Sequence, residues 1–282
     1  MQRRHLLSLI SVGAFYPPLV YATSSPALWL ASRYRVGAYL PDYWLSEKYD
    51  GIRGYWNGYQ LLTRHGKPLT PPAWFTENWP QTPFEGELWA GRGHFEKAAS
   101  VLQQKHAPDS AWRQLSFMVF DLPSHTGHFT DRITDYQIVV KSIGAPWVKA
   151  VEQTRCHTPE ELARRLAYVV SAGAEGLMLH RAESYYEGGR SDDSMKVKPQ
   201  DDAEAKVVGH VVGQGKHAQR LGALWVETPR GLRFKLGTGL KNSERETPPA
   251  IGQWVTYTYR GTTLNGTPRF ASFVRIHPDI ER

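Results

Sequence analysis

Lys48 lies in the run KYDGIR, which also carries Asp50 and Arg53. A lysine serves as a nucleophile only as the neutral amine, and from an ordinary pKa near 10.4 reaching that form costs about 4 to 5 kcal/mol at pH 7. Burial or nearby cations must reduce this cost, so other positive groups should converge on Lys48. Lys196 and Lys198 in SMKVKP are spaced to point to one side of a strand, where they could supply that charge and hold a phosphate. Glu87 in FEGELWAG and Glu175 in AEGLMLH are embedded in short apolar runs that read as strands. An unpaired carboxylate there is costly, so each calls for a cationic side chain, a sugar hydroxyl, or a magnesium ion with phosphate oxygens.

The elements that must position these groups are mostly short strands. Between 49 and 123, IRGYW, YQLLT, EGELWA and LSFMVFDLP are apolar runs separated by turn signals such as HGKPLTPP. A helix is marked at 158 to 161, with Thr158 as N-cap, Pro159 in the first turn and Glu161 completing a capping box. Leu162, Leu166 and Val169 form its apolar face, Gly173 ends it, and AEGLMLH follows as a strand. The class is α+β, and a helical bundle is excluded. QDDAEA after Pro199 reads as a short polar link. Beyond it KVVGHVVGQG, LGALWVET, GLRFKLGTG, QWVTYTYRG and RFASFVRIH read as five strands of a small barrel of the oligonucleotide-binding type. The domain boundary is therefore expected near 200, giving domains at 23–200 and 201–282.

The 282 residues, 41% hydrophobic and 22% charged, have the composition of a folded protein with a sizeable core. Arg3 and Arg4 followed by LLSLISVGAFYPPLVYA have the charge, apolar run and small-residue exit of a secretory signal cleaved near Ala22; Pro17 and Pro18 would interrupt a spanning helix. The paired arginines also fit a twin-arginine route, so export to the periplasm or beyond is expected by one of two routes. Cys156 is the single cysteine, which excludes an internal disulfide and a tetrathiolate zinc site, and it reads as an inert small residue. Residues 201–282 carry 12 Lys or Arg against 8 Asp or Glu, net +4, whereas 23–200 carry 20 against 19, net +1. The tail is therefore the part suited to a polyanion. GQGKH, with His217, lacks the spacing of a P-loop.

In order along the chain stand KYDGIR at 48–53, TRHG at 63–66, EGELW at 85–89, FMVFD at 117–121, EGLML at 175–179 and MKVK at 195–198. This series resembles the covalent nucleotidyltransferase superfamily, and within it the minimal ATP-dependent DNA ligases of bacteria of the exported ligase E type. The resemblance runs from about 30 to 280. It implies an ATP-grasp-like adenylation domain followed by an OB-fold barrel, with ATP as AMP donor, magnesium or manganese as metal, and nicked duplex DNA as partner of a monomeric enzyme. RNA ligases and capping guanylyltransferases share the first motif, and a nucleic-acid-binding module that no longer catalyses is the reading from another class.

By position, the resemblance makes Lys48 the nucleophile toward the α-phosphate, Glu87 the ribose ligand, and Phe120 the residue stacked on adenine; Phe120 also alternates with Met118 as a core residue would. Glu47 would lie beside the base through its backbone. Arg53 and Arg64 would grip ribose and phosphate, Arg64 chiefly the nick 5′-phosphate. Asp50 and Glu175 would serve the metal, and Lys196 and Lys198 the α-phosphate. RFASFVRIHPD resembles the last ligase motif, which would give Arg275 the pyrophosphate. Ala271 and Ser272 stand where that motif has proline and arginine, and His277 where arginine is usual. Lys206, Lys216, Arg220, Arg233, Lys235 and Lys241 are candidate contacts to DNA phosphates. Tyr185, Tyr186 and Arg190 read as a turn packed near the site, without a role of their own.

Overall fold

The computed structural model describes residues 26–259, 261–263 and 265–278; the signal-like segment 1–22 lies outside them. The described residues form three five-stranded sheets. The first has the order β1 (Trp29–Arg33), β10 (Gly189–Val197), β9 (Gly176–Arg181), β2 (Tyr43–Lys48), β8 (Thr154–Arg155). The second runs β4 (Leu61–Thr63), β3 (Ile52–Trp56), β5 (Phe84–Trp89), β6 (Ser116–Asp121), β7 (Val148–Ala150). Pairing is antiparallel except for β1 with β10 and β6 with β7.

KYDGIR is the turn that carries the chain from the first sheet to the second. Its glycine is dictated by a close approach: a Cβ on Gly51 would lie 2.2 Å from the Leu88 carbonyl oxygen. In β6 the alternation of SFMVFD buries Phe117 and Val119 completely and turns the half-buried Phe120 to the other face. The buried face packs under α1 (Ala73–Thr76), α2 (Phe95–Gln103), α3 (Asp109–Trp112) and α4 (Phe129–Ile143), with Phe75, Trp79, Trp112 and Phe129 in the core.

The first sheet is covered by α5 (Pro159–Ser171) through Leu162, Leu166 and Val169. Thr158 caps it by accepting from the Glu161 amide, but Glu161 reaches past the cap to the His157 amide at 3.0 Å, so the capping box closes one residue earlier than expected. Cys156 is fully buried in this core, and burial pushes its thiol up, in keeping with an inert residue.

The third sheet has the order β13 (Arg233–Leu236), β12 (Leu221–Glu227), β11 (Asp201–Val212), β14 (Trp254–Tyr259), β15 (Ser272–Ile276), with α6 (Asn242–Glu246) after β13. A bridge between Thr238 and Ser272 draws the two edges together into a small barrel around Leu224, Val226, Leu236, Val255 and Phe273. The polar link expected at 200–205 is corrected: β11 begins at Asp201, pairing with Tyr259, and DDAEA is ladder. Ala203 and Ala205 pack against the barrel core while the intervening acids point outward. Charge on the outward positions masked the alternation. Only Lys198, Pro199 and Gln200 separate β10 from β11.

Candidate active site

The first and second sheets and the barrel strands β11, β14 and β15 line a cavity of about 310 Å³, of the size that holds a small ligand. Lys48, Glu87, Phe120, Glu175, Lys196 and Arg275 are among the residues lining it. At the end of β2, Lys48 donates from Nζ to Glu175 Oε2 at 2.5 Å, and the other Glu175 oxygen pairs with Lys198. Lys198 also donates to Asp202 Oδ1 at 2.6 Å, and Lys196 lies 3.6 Å from the same oxygen. Three lysines and two carboxylates thus alternate along one wall. Lys196 and Lys198 do share a side, as their spacing predicted.

Glu175 stands one residue before β9 rather than within it. The strand starts at Gly176, where a Cβ would meet the Val197 carbonyl oxygen at 2.3 Å, so the backbone of the EGLML motif packs directly on β10. Glu175 is thereby held between Lys48 and Lys198.

The charges set the protonation states. Burial pulls the Lys48 ammonium down, but the facing Glu175 carboxylate outweighs it and holds the amine above its ordinary value. This corrects the expectation of a nucleophile already lowered by neighbouring cations: Glu175 stands closer to the amine than they do. Lys196 is lowered by burial, opposed by Asp202 and reinforced by Lys198 and Lys48. Burial would raise Glu175, yet Lys48 and Lys198 hold it below the usual carboxylate range. Asp50 is pushed up by burial and by Glu175.

Among the described residues no group of three or more His, Cys, Asp or Glu could hold a metal on its own. Asp50 and Glu175 both line the cavity and repel each other electrostatically, so a shared divalent cation would satisfy both. One or two carboxylates completed by substrate phosphates is the donor set magnesium ordinarily takes.

The second sheet supplies the opposite wall. Glu87 accepts from the Gly51 amide at 3.1 Å. Arg53 gives Nε and Nη2 to Glu85 at 3.1 and 2.7 Å and Nη1 to the Trp29 carbonyl at 2.6 Å, and its guanidinium lies 5.4 Å from the centre of the Phe120 ring. Of the two EGELW acids, Glu85 is therefore the deeply buried one, 1% exposed, and Tyr186 also donates to it at 3.2 Å. Tyr186 thus stands behind the wall, whereas Arg190 lies in β10, not in the expected turn, and lines the cavity. Glu47 pairs with both Nε and Nη2 of Arg92, a residue the sequence did not single out. Arg64 lines the same cavity at its exposed side.

From the barrel, Arg275 reaches across so that Nη2 lies 3.7 Å from Asp50 Oδ1 and the guanidinium lies 3.3 Å from the centre of the Phe95 ring. His277 is buried with Nδ1 near the Pro278 carbonyl, and it lines the same cavity as Arg275.

The ATP dependent DNA ligase domain family model matches residues 36–198, and the DNA ligase OB-like domain model matches 212–277. The chain belongs to the ATP-dependent DNA ligases. A DNA ligase of Haemophilus influenzae is 37% identical over 231 residues, 82% of this chain and 85% of that protein. The solved structure of a Lig E DNA ligase, described as binding DNA with a minimal scaffold, is 44% identical with a TM-score of 0.63, covering 89% of this chain and 98% of that one. A Chlorella virus DNA ligase–adenylate shares the fold at 23% identity and a TM-score of 0.53, over 89% and 97% of the two chains. This ligase is accordingly an ATP-using nucleotidyltransferase whose adenylation domain is followed by an OB fold.

The barrel cations of the ligase fall into two groups. Lys206, Arg233 and Lys235 project from the same outer face, where Lys235 lies 5.2 Å from the Trp225 ring and Lys206 5.3 Å from the Trp254 ring. Arg233 is paired to Glu227 at 2.5 Å. Lys216 lies in the turn Gly215–His217, Lys241 precedes α6, and Arg220 is tied to Glu246 of α6 at 3.2 Å, so these three stand apart from the strand face.

Proposed function

We propose that this ligase seals nicks in duplex DNA through an AMP carried on Lys48, as a monomer exported from the cytoplasm. The observation that carries the proposal is the setting of Lys48: a largely buried amine in the cavity, with Lys196, Lys198 and Arg275 arranged around it and Glu175 and Asp50 beside it. In the first step the Lys48 amine attacks the α-phosphorus of ATP, a nitrogen–phosphorus bond forms, the bond to the β-phosphate oxygen breaks, and pyrophosphate leaves. The nick 5′-phosphate then displaces lysine, and the 3′-hydroxyl displaces AMP. Phosphoryl transfer of this kind depends on positioning and charge neutralisation.

Lys196 and Lys198 are placed to neutralise the α-phosphate, and Arg275 to orient the leaving pyrophosphate. Glu87 faces the ribose, Phe120 the base, and Glu47 meets the base through its backbone. Arg53, held by Glu85, positions this wall, and Arg64 at the open side meets the 5′-phosphate. Magnesium or manganese on Asp50 and Glu175 would supply positive charge that draws Glu175 away from Lys48 and lets the amine lose its proton. The exposed Lys206, Lys235 and Trp225, with the half-buried Trp254 beside them, support a phosphate-tracking role for the barrel face. The signal-like segment ending near Ala22 supports export.

The test is sealing of one nick in all-DNA and in RNA-containing duplexes, by the parent and by Arg64→Ala. Preference for the all-DNA nick, with Arg64→Ala losing joining more than self-adenylation, is expected. Preference for RNA would move the assignment to an RNA ligase, and equal loss of both steps would remove the Arg64 role.

A further inference from the structure

The floor of the cavity contains an acceptor that the ligase chemistry described above does not use. In the first sheet Lys196 pairs with Met178 and Met178 with Ser46. The pairing of Leu45 with Thr154, continued by one residue, sets Gln153 beside Ser46. Lys196, Met178, Ser46 and Gln153 therefore form one row across four strands, and all line the cavity. With Lys196 at the phosphate end, Gln153 is at the end where the far edge of a base would lie, and Phe120 faces the row from the second sheet.

The orientation of the Gln153 amide is fixed from behind. Tyr136, fully buried, donates its hydroxyl proton to the Val151 carbonyl at 2.8 Å, so its oxygen is left to accept, and the Gln153 side chain donates to it. With the NH2 spent there, Oε1 is the atom that remains. That oxygen is shielded from solvent and has no hydrogen-bond partner among the described residues. Buried acceptors are ordinarily paired, so one carried by a residue that lines a ligand cavity calls for a donor on the ligand. Adenine offers an exocyclic amine, whereas guanine places an acceptor oxygen at the corresponding atom.

We infer that Gln153 Oε1 accepts a hydrogen bond from the exocyclic amine of the ATP adenine and makes the ligase discriminate against GTP. The inference rests on the proposed transfer of AMP to Lys48 and adds the residue that reads the base.

Self-nucleotidylation of the full chain is measured with ATP, GTP and purine riboside triphosphate, which lacks the amine, for the parent, Gln153→Met and Gln153→Glu. The parent is expected to prefer ATP over purine riboside triphosphate by about tenfold, through KM rather than kcat. Gln153→Met, similar in length but without the acceptor, should bring that ratio near one and narrow the margin over GTP. Gln153→Glu keeps an acceptor oxygen and should keep most of the preference. Equal use of the two nucleotides by the parent, or an undiminished preference in Gln153→Met, would overturn the inference. The parent comparison decides even where a variant does not fold. Absence of any transfer from ATP would instead strike at the Lys48 chemistry itself.

Discussion

Asp202, the second residue of the barrel's longest strand, accepts from Lys198 of the adenylation domain at 2.6 Å and stands 3.6 Å from Lys196 with the same oxygen. Burial would raise its carboxyl, but Lys198 and Lys196 outweigh that and hold it far below the usual carboxylate range. Asp202 therefore occupies, as an anion, the neighbourhood of the two lysines meant for the α-phosphate. Incoming ATP must compete with it. Asp202→Asn should lower KM for ATP in self-adenylation by about three- to tenfold, the scale of a partly exposed ion pair. An unchanged or raised KM would mean that Asp202 holds the lysines in place instead of competing for them.

His180 gives the acid limb of the stability curve. Its ring stacks on Phe129 with centroids 3.7 Å apart and forms an edge contact with Trp29 at 4.6 Å. Burial, opposed by Asp121 and reinforced by Arg132, pulls it from 6.5 to about 4. The unfolded chain therefore binds this proton first as pH falls, and the stability tied to neutral His180 is lost between pH 6.5 and 4. The loss amounts to roughly 3 kcal/mol. His180→Phe keeps a ring without the titration, so its stability relative to the parent should rise by about that amount between pH 7 and pH 4, read by denaturant unfolding. Parallel pH curves for the two proteins would contradict this.

On the barrel face, Lys235 lies over Trp225 with no carboxylate partner among the described residues, whereas Arg233 is paired with Glu227. Lys235→Ala should weaken binding to nicked DNA irrespective of sequence and reduce the slope of log affinity against log salt by about one. Arg233→Ala should change the slope less, because its charge is already partly neutralised. Should the parent's affinity stay flat from low to moderate salt, the barrel face would not be tracking phosphates.

The motifs were legible because each is a local solution to a local problem. Gly51 lets the KYDGIR turn pass against Leu88, SFMVFD shows its two faces by alternation, and Thr158 caps its own helix. The five barrel strands were legible for the same reason. What escaped were relationships fixed by register between distant segments. Glu85 rather than Glu87 takes Arg53, Arg92 takes Glu47, and Gln153 enters the site only because β8 lies beside β2. Asp202 was hidden inside a run whose outward charges made a strand resemble a link. The high setting of Lys48 was missed because sequence order brings Lys196 and Lys198 into view as its neighbours, while Glu175 is the one in contact.

The central claim is that Lys48 carries the AMP. Its most direct test is the intact mass of the denatured protein as isolated, after pyrophosphate treatment, and after incubation with ATP and magnesium, beside Lys48→Ala. The parent should carry one AMP after ATP, or lose one to pyrophosphate and regain it, and Lys48→Ala should carry none at any stage. AMP on both proteins, or on neither at every stage, would contradict the assignment.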